Sequence, residues 1–166
     1  EINTLKGNIN WMSAHEPRIT HPFFNERIND LKPILDPDAS DSASLDGAFE
    51  LLVQTDRDLP MAKSMLIPES WSNRSDMNED LKNMYAYCNA VIEPWDGPAA
   101  VCGNFGEWIL SGMDRNGLRP LRYILTNDGL LISGSEIGMI NIEEKNILKK
   151  GRVGPGEIIA VNYNEK

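Results

Sequence analysis

The sequence has 166 residues, of which 41% are hydrophobic and 25% are charged, and its formal net charge is −9. These proportions are typical of one soluble globular domain that is large enough to bury a hydrophobic core. The negative charge argues against nucleic acid or an anionic membrane as a partner, because phosphate groups would be repelled. A membrane-spanning helix is not expected either, because the sequence has no run of about 18 to 20 apolar residues.

Helical periodicity covers the first half of the chain, up to about residue 92. Leu5, Ile9 and Met12 recur at three- and four-residue steps, which predicts an opening amphipathic helix that ends before Pro17. Four more helices are expected from their start and stop signals. They are a short helix over residues 25–31, a helix capped by Ser42 or Ser44 that runs to residue 53, a helix with Pro60 in its first turn that runs to residue 66, and a helix capped by Ser75 or Asp76 that runs to residue 88.

Short strands and tight turns follow residue 98. Helices followed by antiparallel strands predict an α+β fold, not alternating βαβ units. The change of pattern at residues 93–98 indicates a change of layer within one domain. The strands are predicted at residues 99–102 and 108–110 around a turn at 103–106, at 123–125 and 130–132 around a turn at 127–129, and at 157–161.

The cysteines and histidines do not form a recognisable catalytic or metal-binding pattern. Cys88 and Cys102 are too few for a zinc site or a disulfide framework, so we expect two buried, reduced thiols, as in a cytoplasmic protein. Neither cysteine has a histidine nearby in the sequence. A metal or triad role for His15 or His21 is disfavoured, and no metal site is predicted.

Residues 114–121, DRNGLRPL, form the most distinctive short motif. Asn116 and Gly117 favour a sharp turn, and Pro120 holds the preceding Arg119 in an extended conformation. From the residues alone, we interpret the motif as a turn whose Arg115 and Arg119 pair with acidic side chains. The sequence assigns neither arginine a further role.

Five segments of the chain resemble motifs of the glutaminase domain of glutamate synthases, and they occur in the same order. That domain is a class II glutamine amidotransferase and an N-terminal-nucleophile hydrolase. The DRNGLRP-type turn is shared more widely among class II amidotransferases. The segments are EINTLKGN at residues 1–8 with NWM at 10–12, SDSASLD at 40–46, MLIPE at 65–69 with Trp71, EPWDGPAA at 93–100, and DRNGLRPL at 114–121 with GSE at 134–136.

The resemblance implies an αββα four-layer sandwich, with the helical first half and the antiparallel second half of this chain forming part of it. In that family a cysteine at the mature N-terminus attacks the side-chain amide of glutamine, with its own α-amino group as the base. Ammonia is released and used elsewhere in the parent enzyme to make glutamate from 2-oxoglutarate. The parent enzyme is expected to use FMN and an iron–sulfur cluster, with no cofactor in this segment.

Asp41 is the one site residue that the resemblance assigns. It matches the family carboxylate that binds the α-amino group of glutamine, and an ammonium group requires a fixed anion. The alternative is that Asp41 is a plain helix N-cap.

The catalytic machinery has no match in the sequence. The family's nucleophilic cysteine, its carboxylate-binding arginine and its oxyanion Asn-Gly pair would all precede Glu1, and Cys88 and Cys102 match no catalytic position. We therefore expect residues 1–166 to be a partial amidotransferase domain that lacks the N-terminal nucleophile segment, exposes sheet edges and is inactive alone. Its expected partners are glutamine and the rest of a glutamate synthase chain.

Two alternatives stay open: a non-catalytic binding or scaffold relative, and one half of a split amidotransferase. A first residue that is Glu1 instead of Met favours an excised fragment over both. The sequence does not indicate whether the parent enzyme takes electrons from a pyridine nucleotide or from ferredoxin, nor the oligomeric state.

Overall fold

The computed structural model describes residues 7, 9–36 and 38–165. The α-helices lie in the first half of this range, as predicted, and residues 25–31 form a 3-10 helix. The opening helix ends before Pro17, as expected, while Leu5 lies outside the described residues. The α-helices are α1 (Ile9–His15), α2 (Asp41–Gln54), α3 (Leu59–Leu66) and α4 (Glu79–Val91), and the 3-10 helices are Glu16–Arg18, Asn25–Leu31 and Glu144–Asn146.

Two helix starts differ from the prediction. The N-cap of α2 is Ser40, and the N-cap of α4 is Asn78, whose side-chain oxygen accepts hydrogen bonds from the amides of Asp80 and Leu81. An N-cap residue must have a non-helical backbone. Ser42 and Ser44 are already inside the first turns of α2, so neither can cap it.

The second half of the chain consists of antiparallel strands, so the α+β class is confirmed. One sheet has the order β1-β2-β6 and the other has the order β4-β3-β5. The strands are β1 (Ala100–Phe105), β2 (Trp108–Met113), β3 (Arg122–Thr126), β4 (Leu131–Gly134), β5 (Ile147–Arg152) and β6 (Ile158–Asn162).

The first hairpin turn is shorter than predicted. Phe105 pairs with Trp108, so the turn consists of Gly106 and Glu107, and Gly106 has a φ of +56°. Gly103 is part of β1, where it pairs with Leu110, and the side chain of Leu59 lies 3.3 Å from where a Cβ of Gly103 would stand. The turn at residues 127–129 is confirmed, with φ of +87° at Gly129.

The described chain forms three layers: helices, first sheet, second sheet. Helix α3 packs on β1 and β2, and its side chains belong to the main hydrophobic core. On the opposite face of the first sheet, Ile159 packs against a smaller core of Met113, Leu121 and Val153, and Tyr123 of the second sheet packs against the same core. This order agrees with part of an αββα sandwich. Within the described chain, β1 lies at a sheet edge.

Candidate functional site

A cavity of about 770 Å³ lies between α2 and the edge strand β1. Ligand-binding pockets commonly have volumes in this range. Among the described lining residues, Asp41, Asp46 and Glu50 of α2 contribute carboxylates, and Arg119 contributes the one guanidinium. The excess of negative charge favours a ligand that carries a cationic group. The apolar part of the wall includes Leu45, Phe49, Leu59 and Leu110.

Asp41 is the first residue of α2 and lines this cavity. The hydroxyl of Ser40, not the carboxylate of Asp41, accepts the capping hydrogen bond from the Ala43 amide, at 3.3 Å. The plain N-cap alternative for Asp41 is therefore wrong. Its side chain is partly exposed and makes no hydrogen bond or ion pair with the residues that the structure describes. A carboxylate in the first turn of a helix interacts favourably with the helix dipole.

The DRNGLRPL turn holds the segment at residues 95–100 beside the cavity. Asp114 is 2% exposed, and its carboxylate accepts hydrogen bonds from the amides of Ala99 (3.1 Å) and Asn116 (2.9 Å). The backbone amide of Asp114 in turn donates to the Ala99 carbonyl, at 3.1 Å. The carboxylate and the backbone amide of Asp114 therefore join the turn to Ala99, the residue that precedes β1.

The two arginines of this turn have different partners. Arg115 pairs with the carboxylate of Asp96 at 2.7 Å, as the sequence predicted. Arg119 has no acidic partner among the described residues, contrary to the prediction, and its Nε donates to the Pro98 carbonyl at 3.4 Å. Arg119 instead lies at the cavity wall.

The two cysteines have different environments. Cys88 is 1% exposed, and burial raises the pKa of its thiol, which makes it a poor nucleophile. Cys102 is exposed, so the prediction of two buried thiols is wrong for this residue. Its apolar sequence context suggested a core strand, but β1 lies at a sheet edge, where Cys102 contacts the hydroxyl of Ser111 at 3.2 Å.

Neither histidine is paired with a cysteine. The Nδ1 of His15 donates to the Trp11 carbonyl at 2.7 Å, and the Nε2 of His21 lies 3.3 Å from a carboxylate oxygen of Asp56. In the part of the chain that the structure describes, no group of three or more His, Cys, Asp or Glu side chains could hold a metal ion. None of the helices in the described residues has both the length and the hydrophobicity that spanning a bilayer requires.

Two residues near the site were not singled out by the sequence analysis. Trp95 donates its indole N–H to the Asp41 carbonyl, and Lys63 is a lysine that is 1% exposed. The signal for Lys63 was its position four residues after Leu59 and three before Leu66, on the apolar face of α3. Trp95 was visible only as a member of the EPWDGPAA motif.

The cavity therefore has the Asp41 carboxylate at the start of a helix on one side and an edge strand on the other. All of residues 1–166 match the family described as class II glutamine amidotransferases. The chain therefore belongs to that family, and the resemblance seen in the motifs is confirmed.

Among curated proteins, the chain is 52% identical over 162 residues to the glutamate synthase [NADPH] large chain of Azospirillum brasilense. It is 46% identical over 164 residues to the ferredoxin-dependent glutamate synthase of Pyropia yezoensis and 44% identical over 165 residues to the glutamate synthase [NADPH] large chain of Bacillus subtilis. These matches cover 98–99% of this chain but only 11% of each relative.

Proposed function

We propose that residues 1–166 form the glutamine-binding part of the glutaminase domain of a glutamate synthase. The complete enzyme would release ammonia from glutamine and use it to make glutamate from 2-oxoglutarate. The family match and the glutamate synthases named among the relatives support this proposal. The remaining catalytic groups, including the nucleophilic cysteine, would come from outside these residues.

The observation that carries the proposal is the position of Asp41. Its carboxylate stands at the wall of a cavity and makes no hydrogen bond or ion pair with a described residue. The α-amino group of glutamine is a cation, and a charge-assisted hydrogen bond to a fixed carboxylate is about twice as strong as a neutral one. Asp41 would hold that ammonium group and so orient the side-chain amide toward the nucleophile.

The iron–sulfur cluster that the resemblance to glutamate synthases implies does not fit this chain. Iron–sulfur clusters are generally held by four cysteine thiolates. The chain has only Cys88, which is buried in the helical core, and Cys102, which lies on β1. We therefore propose that the cluster lies elsewhere in the complete enzyme, and no step assigned to this chain uses it or the flavin.

A cytoplasmic location is part of the same proposal. Cys88 and Cys102 are both free thiols, as is usual in a reducing compartment. The net charge of −9 supports a small-molecule substrate over a nucleic-acid partner.

The substitution Asp41→Asn in the full-length enzyme tests the proposal. Loss of a charge-assisted bond worth about 1.5 to 3 kcal/mol should raise the glutamine KM by about ten- to a hundredfold. The matched control is Asp38→Asn, which removes the same charge three residues earlier, outside the cavity lining. An Asp41→Asn enzyme with the wild-type KM would refute the binding role.

A further inference from the structure

Trp95 connects the substrate-binding helix to the rest of the site through one side-chain hydrogen bond. Its indole Nε1 donates to the backbone carbonyl of Asp41 at 3.3 Å, across 54 residues of sequence. That carbonyl belongs to the first residue of α2, so the bond acts on the same residue whose carboxylate lines the cavity.

The indole itself is held on several sides. Trp95 is 4% exposed, and its backbone amide donates to the Leu66 carbonyl at the end of α3, at 2.7 Å. Gly7 lies directly on the ring, because a Cβ at that position would stand 2.1 Å from Cε2 of Trp95. A ring packed in this way has little rotational freedom, so its N–H is a fixed donor.

The segment that follows Trp95 is equally well anchored. Asp96 pairs with Arg115 at 2.7 Å, and the amide of Ala99 donates to the buried carboxylate of Asp114 at 3.1 Å. Ala99 leads into β1, which forms the wall opposite Asp41. Trp95 therefore links the start of α2 to the segment that the DRNGLRPL turn and β1 hold in place.

From this arrangement we propose that Trp95 is a positioning residue that sets the distance between the Asp41 carboxylate and β1. The inference rests on the proposed function, in which Asp41 binds the ammonium group of glutamine. Trp95 does not line the cavity. It acts through Asp41, and its contribution is equal in the ground state and the transition state.

Loss of the indole N–H should therefore raise KM and leave kcat unchanged, because uniform binding is what is lost. Trp95→Phe in the full-length enzyme keeps an aromatic ring and removes the donor. We expect a rise of about two- to tenfold in the glutamine KM, the range that one neutral hydrogen bond supplies. Trp71→Phe is the matched control, because Trp71 stacks on Tyr85 and does not line the cavity.

A double-mutant cycle distinguishes a role of Trp95 in positioning Asp41 from a role in general packing. If Trp95 acts through Asp41, the KM effect of Trp95→Phe should disappear in an Asp41→Asn background. An equal effect in both backgrounds, or a wild-type KM in Trp95→Phe, would overturn the inference while the role of Asp41 stands. A wild-type KM in Asp41→Asn would overturn the proposed function and the inference with it.

The melting temperature of each variant shows whether the fold survives. If Trp95→Phe does not fold, β-(3-benzothienyl)alanine at position 95 replaces it, since sulfur takes the place of the N–H in a ring of nearly the same size. The same KM rise and the same loss of effect in the Asp41→Asn background would support positioning. A wild-type KM in this analogue would refute it.

Discussion

The amine of Lys63 donates a hydrogen bond to the carbonyl oxygen of Gly156 at 3.3 Å and so ties α3 to the loop between β5 and β6. Lys63 is 1% exposed, and its Cε lies 3.0 Å from where a Cβ of Gly112 would stand, so the side chain runs tightly along β2. Burial lowers the pKa of Lys63 to about 8, and the nearby carboxylates of Glu69 and Asp114 partly offset that effect. A buried charge whose pKa lies this low makes stability depend on pH.

The first prediction is that the free energy of unfolding rises between pH 8 and pH 9. Below pH 8, Lys63 is protonated in both states. Above it, the folded state loses a proton that the unfolded state keeps up to its ordinary pKa of 10.5, so deprotonation favours folding. Lys63 contributes about 1 kcal/mol to this rise. Urea denaturation at several pH values measures it.

Lys63→Met should abolish this rise, whereas the control Lys145→Met, whose side chain is 76% exposed in the wild type, should retain it. The predicted rise in unfolding free energy ends near pH 9 because burial raises the pKa of Cys88 and of Tyr85 above their ordinary values of 9.0 and 10.0. Their ionisation in the unfolded state opposes folding at higher pH. A rise of equal size in the Lys63→Met variant would exclude Lys63 as its source.

The type and order of most elements could be predicted because they depend on local pattern. The apolar stripes of the helices and the Asp128-Gly129 turn are readable from a few neighbouring residues. Strand β5 was missed because Ile147–Arg152 contains ILKKGR, which carries three basic side chains and no regular alternation. It lies at the edge of its sheet, where polar side chains are tolerated.

The site was only partly predictable, because its contacts are distant in sequence. Asp41 could be assigned by its motif, but nothing local shows that Trp95 donates to its carbonyl or that Ala99 donates to Asp114. Cys102 was misplaced for the same reason, because the edge position of β1 depends on which strands pair.

The second prediction concerns the cap of α2. Ser40→Ala removes the acceptor of the Ala43 amide and should cost about 1 kcal/mol of stability. Ser44→Ala is the matched control, because the buried Ser44 hydroxyl has no hydrogen-bond partner among the described residues. Removing an unpaired buried hydroxyl should leave stability equal or higher. Denaturation midpoints in the opposite order would contradict the assignment of Ser40 as the stabilising cap.

The third prediction is that the purified chain of 166 residues does not hydrolyse glutamine. Cys88 is buried with a raised pKa, and neither His15 nor His21 pairs with a cysteine. Loss of a nucleophile alone can lower a rate by several orders of magnitude. Glutamate release is the measurement. Steady release that Cys88→Ala or Cys102→Ala abolishes would contradict the prediction and make that thiol catalytic.

The fourth prediction contrasts two charged residues of one turn, Asp114 and Arg115. Asp114 is 2% exposed and accepts bonds from two backbone amides, with the buried Lys63 nearby. Asp114→Asn keeps the shape but turns an amide donor toward one of those N–H groups and removes the charge facing Lys63. We expect a loss of about 2 to 4 kcal/mol of unfolding free energy, because a buried cation loses part of its compensation.

Arg115→Ala is the internal control for that loss. The side chains of Arg115 and its partner Asp96 are 49% and 64% exposed, and such a pair is worth about 0 to 1 kcal/mol. In a Lys63→Met background the cost of Asp114→Asn should shrink, because no buried cation then needs the carboxylate. If Asp114→Asn costs as much stability in that background as in the wild type, the whole loss comes from the hydrogen bonds of the Ala99 and Asn116 amides. Equal losses in Asp114→Asn and Arg115→Ala would show that burial does not distinguish the two charges.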